Sequence, residues 1–350
     1  MSVADWFSSF PLLLNIVFFG LFSTIIWQVG SKLTLIADQI SDQYRISRTT
    51  VGLLFLALAT SLPELATTLT AAVQSYQFMV LNNLFGGIVL QTAILAIADG
   101  FTKGVLSSYP RKADHAREAV LLIGLLSVVL IATLLEETVV IWHIGIGSVI
   151  VMFAYVGVIW LLRTLAGTKN WVPVDLPDTK GKEIKKRTSS TDLSSKEQLA
   201  KRAGFYCLVI LIVGIALVIC AATIAAQSGL GESFVGVTLL AAATSLPELT
   251  TTITAVRMGA YTLAISNIFG SNLIMLALIL PADILYLKGP ILRFNDVSVQ
   301  LAIVAGIVVT TVYITGLLIR KKPRIWNFGI DSVIVIAIYA LSVLFFYISR

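Results

Sequence analysis

Apolar residues run along this chain in long stretches separated by short polar connections, and those stretches define the elements. Ten are long enough to cross a bilayer as helices, at about 20 residues each. They fall at roughly 10–31, 50–73, 78–98, 118–135, 140–162, 204–226, 233–255, 261–287, 297–319 and 328–348. Ten-residue alternating strands are absent, and in lipid a helix satisfies its own backbone, so the pattern predicts an all-α integral membrane protein. One long polar stretch breaks the series, from about Thr164 to Arg202, with a basic run from Lys180 to Arg187 and a Ser/Thr-rich run from Thr188 to Ser195. It reads as a solvated linker on its composition. The expected organisation is a first membrane half over 1–163, a linker over 164–203 and a second membrane half over 204–350.

Composition agrees with this reading. The 350 residues are 57% hydrophobic and 13% charged, where soluble domains carry roughly 25% charged residues. The first apolar run has no basic segment before it and no small-residue cleavage site, so it is expected to stay as a span rather than be removed. Cys207 and Cys220 fall in one expected span, about 20 Å apart along a helix, beyond the reach of a disulfide. The net charge of +6 comes from loop residues, for which topology is a sufficient explanation and nucleic acid is not needed.

Of the 25 Lys and Arg residues, 22 lie in loops after spans 1, 3, 5, 7 and 9, leaving Lys288, Arg293 and Arg350 on the other side. The positive side is cytoplasmic, which places the protein in the cell (plasma) membrane with both termini outside and the linker in the cytoplasm. Five spans per half is an odd number, so the second half inserts upside down. The expected architecture is ten transmembrane helices as two inverted five-helix repeats.

The halves also share sequence. Ala59-Thr60-Ser61-Leu62-Pro63-Glu64-Leu65-Ala66-Thr67-Thr68-Leu69-Thr70-Ala71 returns as Ala243-Thr244-Ser245-Leu246-Pro247-Glu248-Leu249-Thr250-Thr251-Thr252-Ile253-Thr254-Ala255, with eleven of thirteen positions identical at an offset of 184. Over 51–71 and 235–255, 15 of 21 positions agree. At the same offset Asn82-Asn83-Leu84-Phe85-Gly86-Gly87 aligns with Ser266-Asn267-Ile268-Phe269-Gly270-Ser271. A carboxylate at membrane depth is costly and marks a functional site by default. No Lys or Arg in the core spans pairs with Glu64 or Glu248.

The residues around each glutamate define its chemistry. Pro63 and Pro247 have no N–H to return to the carbonyl four residues earlier, which loosens the helix there. Thr60, Ser61 and Thr68 share a helical face with Glu64, and Thr244, Ser245 and Thr252 share one with Glu248. The result is a cluster of hard oxygens, suited to Ca²⁺ or Na⁺ and not to softer metals, since no Cys or His stands nearby. Two facing carboxylates in low dielectric need cations or a proton, which favours obligatory exchange over leak. Other polar residues have plainer readings. Thr67, Thr70, Thr251 and Thr254 read as helix packing, and Asn83, Asn267 and Asn272 as cavity lining or close helix contact. Glu136, Glu137, Glu232, Asp283 and Asp296 read as surface acids, and His115 and His143 as ordinary loop-end residues.

Two inverted copies of (Gly/Ala)-Thr-Ser-Leu-Pro-Glu-Leu, each followed by an Asn-, Phe- and Gly-containing helix, resemble the alpha-repeats of the sodium/calcium exchanger family. That family belongs to the calcium/cation antiporter superfamily, and the chain looks like a divergent prokaryotic-type member. The resemblance implies that Glu64 and Glu248 bind the transported ions. It implies further that Thr60, Ser61, Thr244 and Ser245 supply hydroxyl and carbonyl ligands, that Ala57 and Ala241 offer carbonyls, and that Ser271 adds a hydroxyl. Four residues beyond Ser271, where the family carries Asn or Asp, the halves have Gln91 and Met275. Gly87 stands where the other half has Ser271, and Ala59 and Ala243 replace the family's glycine. These departures remove oxygen ligands, so three-sodium stoichiometry does not follow. The implied function is a secondary-active antiporter exchanging Ca²⁺ for Na⁺ by alternating access at a midplane site, with exchange of Ca²⁺ or another divalent cation for H⁺ as the alternative. No enzymatic constellation of nucleophile and base is present in the spans. Ca²⁺ and Na⁺ are cargo and no cofactor is implied; the expected partner is the lipid bilayer. Oligomeric state leaves no signal in the sequence.

Overall fold

Apolar runs with nothing polar to compete for their backbone close i to i−4 hydrogen bonds, and the regular structure among the described residues is accordingly helical, apart from two short hairpins. The computed structural model describes residues 3–110, 114–134, 140–164, 196–228, 241–293, 297–319 and 323–348. Among them, seven helices are long and apolar enough to cross a membrane: Leu12–Tyr44, Gln77–Asp99, Asp114–Leu134, Ile146–Thr164, Lys196–Ser228, Tyr261–Leu285 and Val297–Ile319. Arg48–Thr60 and Leu62–Val73 meet the same test as one bent pair, and Ile330–Ile348 carries a shorter apolar stretch. The expected span at 233–255 falls partly outside the described residues. Its described portion is a turn of helix at 241–244 followed by Leu246–Arg257. Most of the expected linker also lies outside them, although helix Lys196–Ser228 starts within its expected bounds.

Burial is distributed as in a protein solvated by lipid. Large apolar side chains such as Leu13, Phe153 and Leu341 point outward. Ser266, Asn267, Ser271 and Asn272 are fully buried in the Tyr261–Ala277 helix. That polarity is reversed relative to a water-soluble fold and places the polar groups where other helices can satisfy them.

Helices recur at the offset of 184. Leu12–Tyr44 corresponds to Lys196–Ser228 and Ile146–Thr164 to Ile330–Ile348. The hairpin of Val140–Ile141 with Ile144–Gly145 corresponds to that of Arg324–Ile325 with Phe328–Gly329. The duplication therefore extends over supporting elements whose sequences have diverged.

The two halves are laced together at equivalent points. The long helix of each packs on the motif of the other: Gly30 lies against Thr250, where an added Cβ would come within 3.0 Å, and Gly214 lies against the Pro63 ring, where it would come within 2.5 Å. A buried aspartate of each half holds the hairpin of the other. Asp99 accepts from Gly329 N (2.7 Å) and Leu106 N (2.5 Å), and Asp283 accepts from Gly145 N (2.9 Å) and Ile291 N (2.7 Å). Asp283, expected at the surface, is instead fully buried. Its charge is compensated by backbone N–H groups, a pairing that hydropathy does not display.

Candidate cation-binding site

Each repeated motif breaks its own helix. Before the first break, Val51–Leu56 winds in wide π-type turns, with Ala57 N bonding to Gly52 O. At Ser61 the backbone leaves helical geometry (φ −82°, ψ 6°), and Pro63 sits in the first turn of the helix that resumes at Leu62. A proline is favourable there because its missing N–H would have had no partner. The two helical pieces meet at 51°. Ser245 repeats the break (φ −87°, ψ 5°), with Pro247 in the first turn of Leu246–Arg257. The span drawn at 50–73, with its helix loosened at Pro63, is thus a bent pair of pieces, and a length criterion on apolar residues does not register the angle.

The breaks place both glutamates in first turns, where unpaired N–H groups and the helix dipole favour negative charge. Both carboxylates are buried, at 1% exposure for Glu64 and none for Glu248.

Glu248 is held from across the repeats. Ser61 Oγ donates to its Oε1 at 3.2 Å and Ser271 Oγ donates to the same oxygen at 3.0 Å. Ser61 Oγ and Ser271 Oγ also lie within hydrogen-bonding reach of each other, their two hydroxyl protons serving two of these three contacts at a time, and Thr60 lies near enough to interact with the Glu248 carboxylate. Thus a motif residue of the first half, three positions before Glu64, reaches the glutamate of the second. Ser245 approaches Glu64 in the corresponding way, yet neither Glu64 oxygen receives a hydrogen bond of ordinary geometry. The repeat accounts for one of the two missing donors: the position equivalent to Ser271 is Gly87, which has no hydroxyl to give.

The remaining expected residues divide into two groups. The Ala57 carbonyl accepts from Thr60 Oγ1 (3.2 Å) and Ser61 N (3.0 Å), and that of Ala241 from Thr244 Oγ1 (3.1 Å) and Ser245 N (3.0 Å). These bonds pin the hydroxyl rotamers beside the breaks, and each carbonyl already serves the break itself. Gln91 is fully buried with neither amide atom bonded. Met275, its repeat equivalent, is also fully buried.

A surrounding layer of amides holds the cage. Asn83 Nδ2 donates to Thr68 Oγ1 (2.8 Å), Asn267 Nδ2 to Thr251 Oγ1 (3.1 Å), and Asn272 Nδ2 to Thr92 Oγ1 (3.2 Å). The carbonyl oxygens of Asn267 and Asn272 remain buried without a donor, as do both oxygens of Glu64 and Oε2 of Glu248. Buried acceptors without donors are costly in isolation and complementary to a cation. Oxygens of this kind are the ones that replace the hydration shell of a hard cation.

Sequence reasoning did not identify one buried cluster outside the cage. His115 Nδ1 lies 2.9 Å from Glu118 Oε2, and Ser266 Oγ donates to Glu118 Oε1 at 2.9 Å. The spacing of His115 and Glu118, one helical turn apart, was the available signal, but nothing local to them indicated Ser266.

A family model described as sodium/calcium exchanger protein matches residues 14–173 and 202–348. The inner membrane protein YrbG of Escherichia coli (strain K12) is 25% identical over 290 residues, covering 78% of this chain and 81% of that protein. Solved structures of the sodium-calcium exchanger NCX_Mj share the fold. One, soaked with Na⁺ and Sr²⁺, gives a TM-score of 0.69 at 15% identity, over 95% of this chain and 99% of that one. Another, from a soak with higher concentrations of both ions, gives 0.69 at 18% identity over the same shares. With the family model matching both halves, the chain belongs to the sodium/calcium exchanger family of membrane cation antiporters.

Proposed function

We propose that the protein exchanges Ca²⁺ for Na⁺ by alternating access, at a midplane site that Glu64 and Glu248 share between two inverted five-helix repeats. The observation that carries this reading is the cross-repeat contact of Ser61 with Glu248, which joins the two motifs in one cage of hard oxygens. Thr60, Ser61 and Ser271 stand around one carboxylate and Ser245 near the other, and the unbonded oxygens of Glu64 and Glu248 are available to a cation. Two negative charges buried together are neutralised by cargo, so an empty cage is disfavoured in the occluded state and exchange is favoured over leak. The ten spans, termini outside, cytoplasmic linker and plasma-membrane location belong to this proposal, supported by the asymmetry of Lys and Arg among the loops.

A second reading, exchange of Ca²⁺ for H⁺, is favoured by Gly87 and Met275, which take oxygens away from one side of the cage. Purified protein in sealed vesicles separates the two. Ca²⁺ uptake driven by an outward Na⁺ gradient at equal pH on both sides is the expected result. Uptake that needs a pH gradient and ignores Na⁺ would replace the first reading with the second.

A further inference from the structure

The two hairpins carry the same exposed side chain. Trp142 and Trp326, 184 positions apart, each stand first in a two-residue turn, Trp142-His143 and Trp326-Asn327, and each is 93% exposed. Their backbones are left-handed, at φ 60° and 57°. Glycine and asparagine are favoured in such turns, and a bulky side chain there is uncommon. An indole held this way at both ends, touching almost nothing of the protein, is placed for a medium outside it. Each hairpin runs directly into an apolar helix, Ile146–Thr164 or Ile330–Ile348. That sets the indoles at the level of the lipid headgroups, where an amphipathic ring is favoured.

The repeat shows how their surroundings differ. Beside Trp326, Arg324 donates from Nη1 to Lys103 O (2.9 Å) and from Nη2 to Asn327 O (2.7 Å). Two of its five N–H groups thus pin the guanidinium next to exposed Lys103, and the others remain for a ligand. The loop bearing Lys103 is seated on the hairpin, since a Cβ added at Gly100 would lie 2.8 Å from the Phe328 ring. The same loop offers Phe101, whose ring centroid is 4.9 Å from the Arg257 guanidinium. Among the described residues, no carboxylate forms an ion pair with Lys103, Arg257 or Arg324. Asp99 and Asp331 lie beneath the hairpin, where Asp99 accepts from Gly329 N and Asp331 from Ser107 Oγ. At the opposite end, the equivalents of Lys103, Arg257 and Arg324 are Leu287, Val73 and Val140. Lys288 follows Leu287, and its own equivalent is Gly104. Three cations at one end are replaced by aliphatic residues at the other, while the indole is kept at both.

An indole alone does not choose between headgroups; the charges beside it do. We infer that the Trp326 hairpin is a binding site for an anionic phospholipid, with the indole seated among the headgroups and Arg324 and Lys103 on the phosphate. Arg257 adds a flanking charge. The guanidinium fork matches phosphate oxygens, and its fixed orientation lowers the ordering needed on binding. A zwitterionic headgroup presents the same phosphate with a cation attached, so the cluster prefers lipid of net negative charge, by about fivefold for each nearby cation. Trp142 anchors the other end without that preference. The inference does not depend on which ions the protein exchanges.

Fluorescence quenching tests it in full-length protein reconstituted into phosphatidylcholine vesicles. These contain small, equal fractions of phosphatidylglycerol and phosphatidylethanolamine, one or the other brominated high on its acyl chains. The signal of Trp326 among the six tryptophans is the difference between wild type and Trp326→Phe, and that of Trp142 the difference from Trp142→Phe. Trp326 is expected to be quenched at least fivefold more effectively by the anionic probe, and Trp142 equally by both. Arg324→Gln combined with Lys103→Gln is expected to reduce the preference at Trp326 by fivefold or more, with Trp142 quenching unchanged as the check on folding. Equal quenching of Trp326 by the two probes in wild type would overturn the anionic site. No quenching by either would overturn the seating in the headgroups as well. A preference that survives the double substitution would remove Arg324 and Lys103 from the site. The readout requires no transport, so its failure and that of the antiporter reading are separate results.

Discussion

At the scale of single residues, the cage is a set of hydroxyls aimed at carboxylates, and its two ends differ. Ser61 and Ser271 both donate to Glu248 Oε1, each a hydrogen bond to a charged group worth about 1.5–3 kcal/mol. Removing either leaves the oxygen with the other donor and with cargo. Ser271→Ala is therefore expected to weaken apparent Ca²⁺ affinity by roughly tenfold, at the low end of that range, with protein yield unchanged. Concentration dependence of uptake measures this, and an unchanged half-saturation would remove Ser271 from the site. Gly87→Ser should act oppositely on sodium dependence, since it offers Glu64 the hydroxyl its counterpart has. Much of this set was legible in the sequence. Glu64, Glu248 and the Thr-Ser pairs stood out because an unpaired acid is expensive in lipid and because the stretch occurs twice. The cross-repeat direction of Ser61 was not legible, because helical spacing relates Ser61 to Glu64 on its own helix and is silent about the partner helix. Asp283 was misplaced for a similar reason: its compensating N–H groups come from Gly145 and Ile291, one of them in the other half.

At the scale of elements, glycines decide which helices can touch. Gly52 packs on the backbone of the Tyr261–Ala277 helix, where an added Cβ would lie 2.8 Å from Leu263 O, and Gly270 packs against Leu53 and Ala57. These contacts bring the helix bearing Ser271 against the one bearing Thr60 and Ser61. Gly214 has the same relation to Pro63. Gly214→Ala should cost about 1–3 kcal/mol through overpacking, seen as a lower unfolding temperature in detergent. Gly86→Ala, with open space around the added carbon, should be neutral or slightly stabilising by helix propensity. Equal effects of the two substitutions would contradict this packing. Apolar length located most of the spans, but it missed the 51° bend at Ser61 and the reach of Leu12–Tyr44 beyond the apolar run. A polar extension past the lipid can stay helical with no hydropathic signal, and proline announces a loosened turn without giving its angle.

At the scale of the whole molecule, reciprocal contacts make one unit of two repeats. Asp99 holds the second hairpin and Asp283 the first. Asp99→Asn and Asp283→Asn each weaken charge-assisted bonds to backbone N–H groups, at an expected cost of about 1–3 kcal/mol in stability. Thermal unfolding checks it, and a double variant no less stable than wild type would show that the hairpins are not held this way. The same reciprocity organises the cage, because hydroxyls of one repeat face the carboxylate of the other. An arrangement shared in this manner is disabled from either side. The most direct measurement is Ca²⁺ uptake into vesicles driven by an outward Na⁺ gradient, comparing wild type with Glu64→Gln and Glu248→Gln. Both variants are expected to lose uptake by roughly a hundredfold or more, since each removes one of the two charges that desolvated Ca²⁺ requires. Uptake at the wild-type rate in both variants would contradict the shared cage.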